Sequence, residues 1–401
     1  MNIEQVEKTL NYLLDNNLKL VEQGLDKISV NLCGNAGIAK TSIVKQLAEK
    51  RNAKYVRINL AELEEIGDLV GIPQKEYLME KDGDERWVTE KTVQQYSSMG
   101  YTLCPHCLPR MSYAIPAWVP DGDDEVVVCL DDFLRGSPLF QQAIMSLIQF
   151  GEYISWRLPK KAQLILTSNP SDNYNNMSEL DSAQQSRMLT LNVEFDVNCW
   201  AKWAEDKLRG EFINFALYSP EIFERSHVIN SRSYTLFANA LSSISDLSSI
   251  DAMELAHLLA MGSFGENGEY VSGLYVQFIN NKLDKLPSPK EILEGDYEPL
   301  IKSLKGALYT SGDYRADIGG LITIRLINYI ANHIPSVEDK AKYKKLSERL
   351  LKLISYSEDN YPFLLADDLV TKLMQTINSI YPNVGKELMS NSIIRKKISI
   401  I

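Results

Sequence analysis

Hydrophobic positions change period along the chain, and each change marks an element. Ile3, Val6, Leu10, Leu13 and Leu14 recur at spacings of three and four, which predicts an amphipathic helix. After Gly24 the run Ile28–Cys33 is short and rich in β-formers. Gly34 to Thr41 follows it, and then Ile43, Val44, Leu47 and Ala48 repeat with helical period. The reading is strand, glycine-containing turn, helix. Further strands are predicted at Tyr55–Leu60, Val126–Leu130, Leu164–Ser168 and Leu189–Phe195, with helical patterns between them, notably Phe140–Phe150. Near-continuous apolar strands alternating with helices predict a parallel sheet buried on both faces. The stretch from about Gln74 to Pro120 interrupts this alternation with Asp82-Gly83 as a turn between two aromatic-containing runs, and reads as an insertion. Beyond Trp200 helices dominate. Their predicted faces are Met253, Ala256, His257 and Ala260, then Ile327, Ile330, Ala331 and Ile334, then Leu346, Leu350, Leu353 and Ile354. On this pattern His257 is expected in the core, and Leu286-Pro287-Ser288-Pro289 is expected to mark a boundary.

At 401 residues, 45% hydrophobic and 24% charged, the chain has room for two or three domains of ~100–200 residues each. Its 42 basic and 53 acidic residues give a net charge of −11, which argues against coating nucleic acid or an anionic membrane by bulk electrostatics and leaves only a local basic patch open. The first 30 residues mix charges with leucines and lack a signal-peptide core, and no stretch offers the ~18 apolar residues of a membrane span, so a cytoplasmic protein is expected. Five cysteines, Cys33, Cys104, Cys107, Cys129 and Cys199, are odd in number and partly inside hydrophobic runs, and reduced thiols are expected. Cys104-Pro105-His106-Cys107 has no second CxxC, and His227, His257 and His333 are isolated. Zinc at Cys104 and Cys107 is therefore not expected, a site completed by another subunit being the alternative. The terminal Ile393-Ile394-Arg395-Lys396-Lys397-Ile398 pattern reads as an amphipathic end docking on the helical region rather than as a membrane or nucleic-acid anchor.

The turn Gly34-Asn35-Ala36-Gly37-Ile38-Ala39-Lys40-Thr41-Ser42 sits where a phosphate-binding loop must sit, because backbone N–H groups and a helix N-terminus there surround phosphate oxygens. Lys40 would reach the β- and γ-phosphates and Thr41 would ligate Mg²⁺. The third strand ends in Asp131-Asp132, which supplies one acid for the Mg²⁺ shell and one to polarise an attacking water.

These segments together resemble the MoxR-type, dynein-related branch of AAA+ ATPases. The resemblance covers roughly residues 28–285 and rests on Asp131–Pro138 with the following Gln141–Leu147 helix, Arg157-Leu158-Pro159, the segment Leu164–Asp172, Gly67–Pro73 (similar to the family's DLxGxP), Leu180–Arg187 and Trp200–Ala204. It implies an α/β P-loop AAA+ core with a parallel sheet flanked by helices (1–198, insertion about 74–120), an all-α lid (199–287) and, beyond the resemblance, an all-α C-terminal region (288–401). It implies that Asn169 is the polar sensor, Asp132 the catalytic carboxylate, Arg187 an arginine finger reaching a neighbouring subunit's nucleotide, and Arg232 the second sensor. Ser231 stands where the family usually has proline. The family further implies ATP and Mg²⁺, a homo-oligomeric ring, most often a hexamer, and a protein client to remodel, with a von Willebrand factor A protein as a frequent companion.

Two departures qualify this. Ala39 replaces the loop's second fixed glycine, and Asp132 replaces the commoner glutamate, shortening its reach by about one C–C bond, ~1.5 Å. Slow hydrolysis is expected. The alternatives are an ATP-binding switch or scaffold with little turnover, and a nucleic-acid motor, which the net charge disfavours.

Overall fold

The computed structural model describes residues 1–136, 138–170, 182–310, 312–333, 340–359 and 361–398. They pack as two compact units, Met1–Glu194 and Phe195–Ile401. Of the positions singled out above, Ser137, Ser171, Asp172, Leu180, Asp181 and Ile334 lie outside the described residues.

The first unit opens with α1 (Ile3–Glu22), whose start is fixed by a capping box between Asn2 and Gln5 and whose inner face buries Val6, Leu10, Leu13 and Leu14. There follow β1 (Ser29–Cys33), α2 (Lys40–Lys50), β2 (Lys54–Asn59), α3 (Ile66–Val70), β3 (Pro73–Lys81), β4 (Asp84–Thr89), α4 (Val93–Ser98), β5 (Thr102–Leu103) and β6 (Arg110–Tyr113). The unit is completed by β7 (Val126–Asp131), α5 (Pro138–Ala143), α6 (Met145–Phe150), β8 (Glu152–Tyr153), β9 (Trp156–Arg157), β10 (Ala162–Ser168), α7 (Ser182–Gln185) and β11 (Met188–Asn192). One parallel five-stranded sheet runs in the order β11-β1-β10-β7-β2. Every residue of β7 and β10 is buried, as the continuous apolar runs require of strands covered on both faces. The fifth strand ends at Asn192, short of the predicted Phe195, because Asp196 turns the chain into a helix by accepting from the N–H groups of Asn198 and Cys199. The predicted Phe140–Phe150 helix is two short helices separated at Ile144.

The insertion is a small antiparallel sheet. β3 and β4 form a hairpin around Asp82 and Gly83, both at positive φ (50° and 85°), the geometry a two-residue turn needs to follow the strand twist. β5 and β6 pair with the other edge of β3.

Among the described residues the second unit is helical apart from one two-stranded ribbon and a single bridge between Glu358 and Tyr361. Its elements are α8 (Val197–Ala204), α9 (Gly210–Tyr218), α10 (Ile222–Arg225), α11 (Ser231–Ala240), α12 (Ile250–Phe264), α13 (Gly268–Asn280), α14 (Pro289–Glu294) and α15 (Tyr297–Leu308). After them come β12 (Tyr309–Thr310), β13 (Asp313–Tyr314), α16 (Ala316–His333), α17 (Lys340–Ile354), α18 (Asp367–Ile380), α19 (Pro382–Ser390) and α20 (Ser392–Ile398). Fully buried Phe212, Phe215, Tyr234, Phe237 and Tyr275 form an aromatic nucleus, and one continuous cluster runs from Trp200 to Leu364. Beside it Arg325 pairs with Glu205 at 2.7 Å, both side chains almost fully buried, and donates to Asn214 at 3.0 Å. Leu286-Pro287-Ser288-Pro289 opens α14, with Ser288 as N-cap and Pro289 in the first turn. The terminal helix docks as predicted: Ile394 is fully buried and Lys397 lies 3.5 Å from Asp367.

Two expectations are corrected. His257 is exposed, with Nδ1 2.9 Å from Ser272 Oγ, because α12 buries the line Ala252, Ala256, Ala260 and Phe264 and His257 falls beside it. Cys104 and Cys107 are joined as a disulfide rather than left as free thiols, since the turn between them brings their Cα atoms to 5.5 Å. Cys33, Cys129 and Cys199 are not disulfide-bonded.

Candidate functional site

At the carboxyl end of β1 the chain enters the glycine-containing turn with its first residue closely confined. Gly34 N–H donates to Ser168 O at 3.1 Å, and a Cβ there would meet Val193 O at 2.4 Å, so only glycine fits. Gly37 and Ala39 both adopt the left-handed region, at φ 75° and 71°. Ala39 thus holds the backbone conformation a glycine takes without strain, and it keeps the loop shape at a local cost. Ile38 is buried and anchors the turn, while Asn35, Ala36, Ala39 and Ser42 are exposed.

Lys40 and Thr41 begin α2 and point in different directions. Lys40 Nζ donates to the carbonyls of Gly34 and Asn35 at 2.7 and 2.8 Å and to Asn169 Oδ1 at 2.7 Å. Asn169 follows β10, which pairs with β1, so strand order alone brings these two distant residues together. Thr41 Oγ1 donates to Asp131 Oδ1 at 2.6 Å. The same oxygen accepts from Thr167 Oγ1 at 2.5 Å, and Oδ2 accepts from Arg57 Nε at 2.8 Å, with Arg57 Nη2 also at 2.8 Å.

Burial of Asp131 raises its pKa, but hydrogen bonds from Thr167, Thr41 and Arg57 outweigh this and hold the carboxyl below the usual carboxylate range. Asp131 is therefore a charged, oriented oxygen donor. Burial pushes the neighbouring Cys129 thiol up to about 12, which leaves it a neutral core residue. Asp132 is placed differently from Asp131: it is part-exposed, sits at φ 51°, donates its backbone N–H to Thr167 Oγ1 at 3.0 Å, and has its carboxylate 4.0 Å from Arg135.

A hydroxyl and a carboxylate oxygen side by side, beneath a lysine and a confined backbone turn, form a hard-oxygen donor set that suits Mg²⁺, and the turn suits the phosphates it would accompany. Thr41 and Asp131 are the residues that would hold the ion.

Arg187 and Arg232 share no hydrogen bond given above with these residues. Arg187 precedes β11, where Nε donates to Gln149 Oε1 at 2.9 Å and Nη1 to Ala183 O at 2.8 Å. Arg232 is exposed in the first turn of α11 in the second unit; its N–H is capped by Asn230 Oδ1 at 3.0 Å. Sequence reasoning missed Arg57 and Thr167. The available signals were a lone charge inside the β2 run and a hydroxyl near the polar end of an otherwise apolar strand.

Fold and site together define a P-loop α/β nucleotide-binding domain. The family described as AAA domain (dynein-related subfamily) matches residues 29–188, in agreement with the MoxR-like resemblance. No curated protein matches the sequence. Among solved structures, a variant of Thermotoga maritima RuvB is similar at 14% identity and TM-score 0.38, over 75% of this chain and 86% of that one. A Cytophaga hutchinsonii protein, provisionally described as an ATPase, is similar at 13% identity and TM-score 0.28, over 95% of this chain and 80% of that one. Among the described residues no helix is long and apolar enough to cross a membrane.

Proposed function

We propose that this protein binds ATP with Mg²⁺ and hydrolyses it slowly, in the cytoplasm, at the subunit interfaces of a homo-oligomeric ring, most simply a hexamer. The energy would remodel or chaperone a partner protein, with a von Willebrand factor A protein as the companion the family favours. The observation that carries the reading is the convergence of Lys40, Thr41, Asp131 and Asn169 at one edge of the parallel sheet. Lys40 would exchange its carbonyl and amide partners for phosphate oxygens, Thr41 and Asp131 would hold the ion, and Asn169 and Asp132 would position water. Bound Mg²⁺ supplies charge neutralisation on the phosphates. Arg187 would act on a neighbouring subunit's nucleotide and Arg232 from the helical lid, within a division into core, lid (to about 287) and C-terminal helical region.

The test is steady-state ATPase on wild type and on Lys40→Ala, Asp131→Ala and Arg187→Ala. Equal background hydrolysis in all four defeats the enzyme reading. Mixed Arg187→Ala and Lys40→Ala subunits should regain activity, and a complete lack of rescue counts against a shared site. A second reading, an ATP-binding switch with little turnover, is favoured by the position of Asp132, whose shortened carboxylate faces Arg135. Tight ATP binding without turnover in wild type identifies it.

A further inference from the structure

The insertion sheet holds side chains that the nucleotide site does not use. Glu80 on β3, Cys104 just after β5 and Cys107 each offer one ligand atom, and the carboxylate oxygen and two sulfurs lie within 4.8 Å of one another. Backbone pairing holds them there. Glu80 stands opposite Thr102 in the β3–β5 register, Cys104 N–H donates to Leu78 O at 3.0 Å, and Cys107 N–H donates to Cys104 O at 3.4 Å, closing the Cys-Pro-His-Cys turn. Among the described residues nothing donates to the Glu80 carboxylate. Glu80 and Cys104 are half-buried and Cys107 is exposed, so the group is reachable from solvent.

We propose that Glu80, Cys104 and Cys107 form a zinc site with its fourth position open to water. Two thiolates beside one carboxylate suit Zn²⁺, whereas Mg²⁺ and Ca²⁺ take sets of oxygens. Zn–S bonds of ~2.3 Å and a Zn–O bond of ~2.0–2.2 Å in tetrahedral geometry place the three donors about 3.5–4 Å apart. The two sulfurs reach that spacing by side-chain rotation once the disulfide opens, and the Glu80 oxygen already lies within 4.8 Å of both.

The disulfide must open first. A small thiol reductant gives two electrons and two protons to the S–S bond and leaves as its own disulfide, and the two cysteine thiols then release their protons as Zn²⁺ binds. Oxidised protein keeps the site closed, and reduced protein loads it. His106, exposed between the cysteines, is not a ligand in this assignment.

The test uses the full chain, treated with thiol reductant or left oxidised, then loaded with Zn²⁺, desalted and assayed for metal by mass spectrometry. Co²⁺ replacing Zn²⁺ reports thiolate ligation by its charge-transfer absorption. The expectation is one zinc per chain in reduced wild type and none in oxidised protein, Cys104→Ser or Cys107→Ser. Glu80→Gln should keep the thiolate–cobalt band while binding zinc at least tenfold more weakly, and His106→Ala should match wild type. No zinc in reduced wild type overturns the site, whatever the fate of the cysteine variants. Loss of zinc on His106→Ala with none on Glu80→Gln overturns the ligand set.

Discussion

Arg57 is the residue whose removal is most informative, because it occupies the carboxylate on which Mg²⁺ would depend. Arg57 spends Nε and Nη2 on Asp131 Oδ2, each at 2.8 Å, while the Asp131 side chain is only 6% exposed. A cation already seated on a metal ligand competes with the metal. Hydrogen bonds to charged groups contribute about 1.5–3 kcal/mol. The Arg57 side chain is 44% exposed, so solvent screening brings this pair just below that range, to about 1.4 kcal/mol, or tenfold in an equilibrium constant. Arg57→Ala should therefore let Mg²⁺ support ATP binding at about tenfold lower concentration than in wild type, and Arg57→Lys, which keeps the charge without the fork, should fall between. The assay is Mg²⁺ titration of a fluorescent ATP analogue at fixed nucleotide, with Thr41→Ala as the variant lacking the second metal ligand. An unchanged midpoint in Arg57→Ala would show that the pair does not oppose the metal. A shift to higher Mg²⁺ would refute the reasoning outright, since Arg57 would then support the site rather than compete with it.

Other outcomes follow from the same geometry. Ala39→Gly relieves ~1–2 kcal/mol of left-handed strain and adds ~0.4–1 kcal/mol of unfolded-state entropy, so the urea midpoint of the first unit should rise by the equivalent of about 0.5–1 kcal/mol. A fall of that size contradicts the assignment. Lys40→Ala should abolish binding of the ATP analogue while leaving the circular dichroism spectrum unchanged, because alanine is a good helix former in the first turn of α2. Because the Asp131 carboxyl is held below its ordinary value, its contribution to stability is complete above the unfolded value of ~3.9 and is lost as pH falls through the folded value. Thr167→Val removes one of the lowering hydrogen bonds and should move acid unfolding of the first unit to higher pH, as followed by tryptophan fluorescence.

Local pattern carries local structure, and here it carried much of it. The five strands, the hairpin at Asp82-Gly83 and the Gly34–Thr41 turn were all legible because their signals, unbroken apolar runs and turn residues, lie within a few positions of one another. The same method misplaced His257. The spacing of Met253, Ala256 and Ala260 admits a broad face, and only the neighbouring helices decide that the buried line passes through Ala252, Ala256, Ala260 and Phe264 instead.

By itself the sequence determined the elements, the phosphate-loop chemistry and the acid pair after β7. Tertiary structure decided how those parts divide the work. Strand order set Lys40 against Asn169 and gave Asp131, not Asp132, the two threonines and Arg57. Register in the insertion sheet brought Glu80 to Cys104 and Cys107. Each of these is a contact between elements apart in the chain, and periodicity, which reports only which face a residue occupies, carries no information about which distant residue stands opposite.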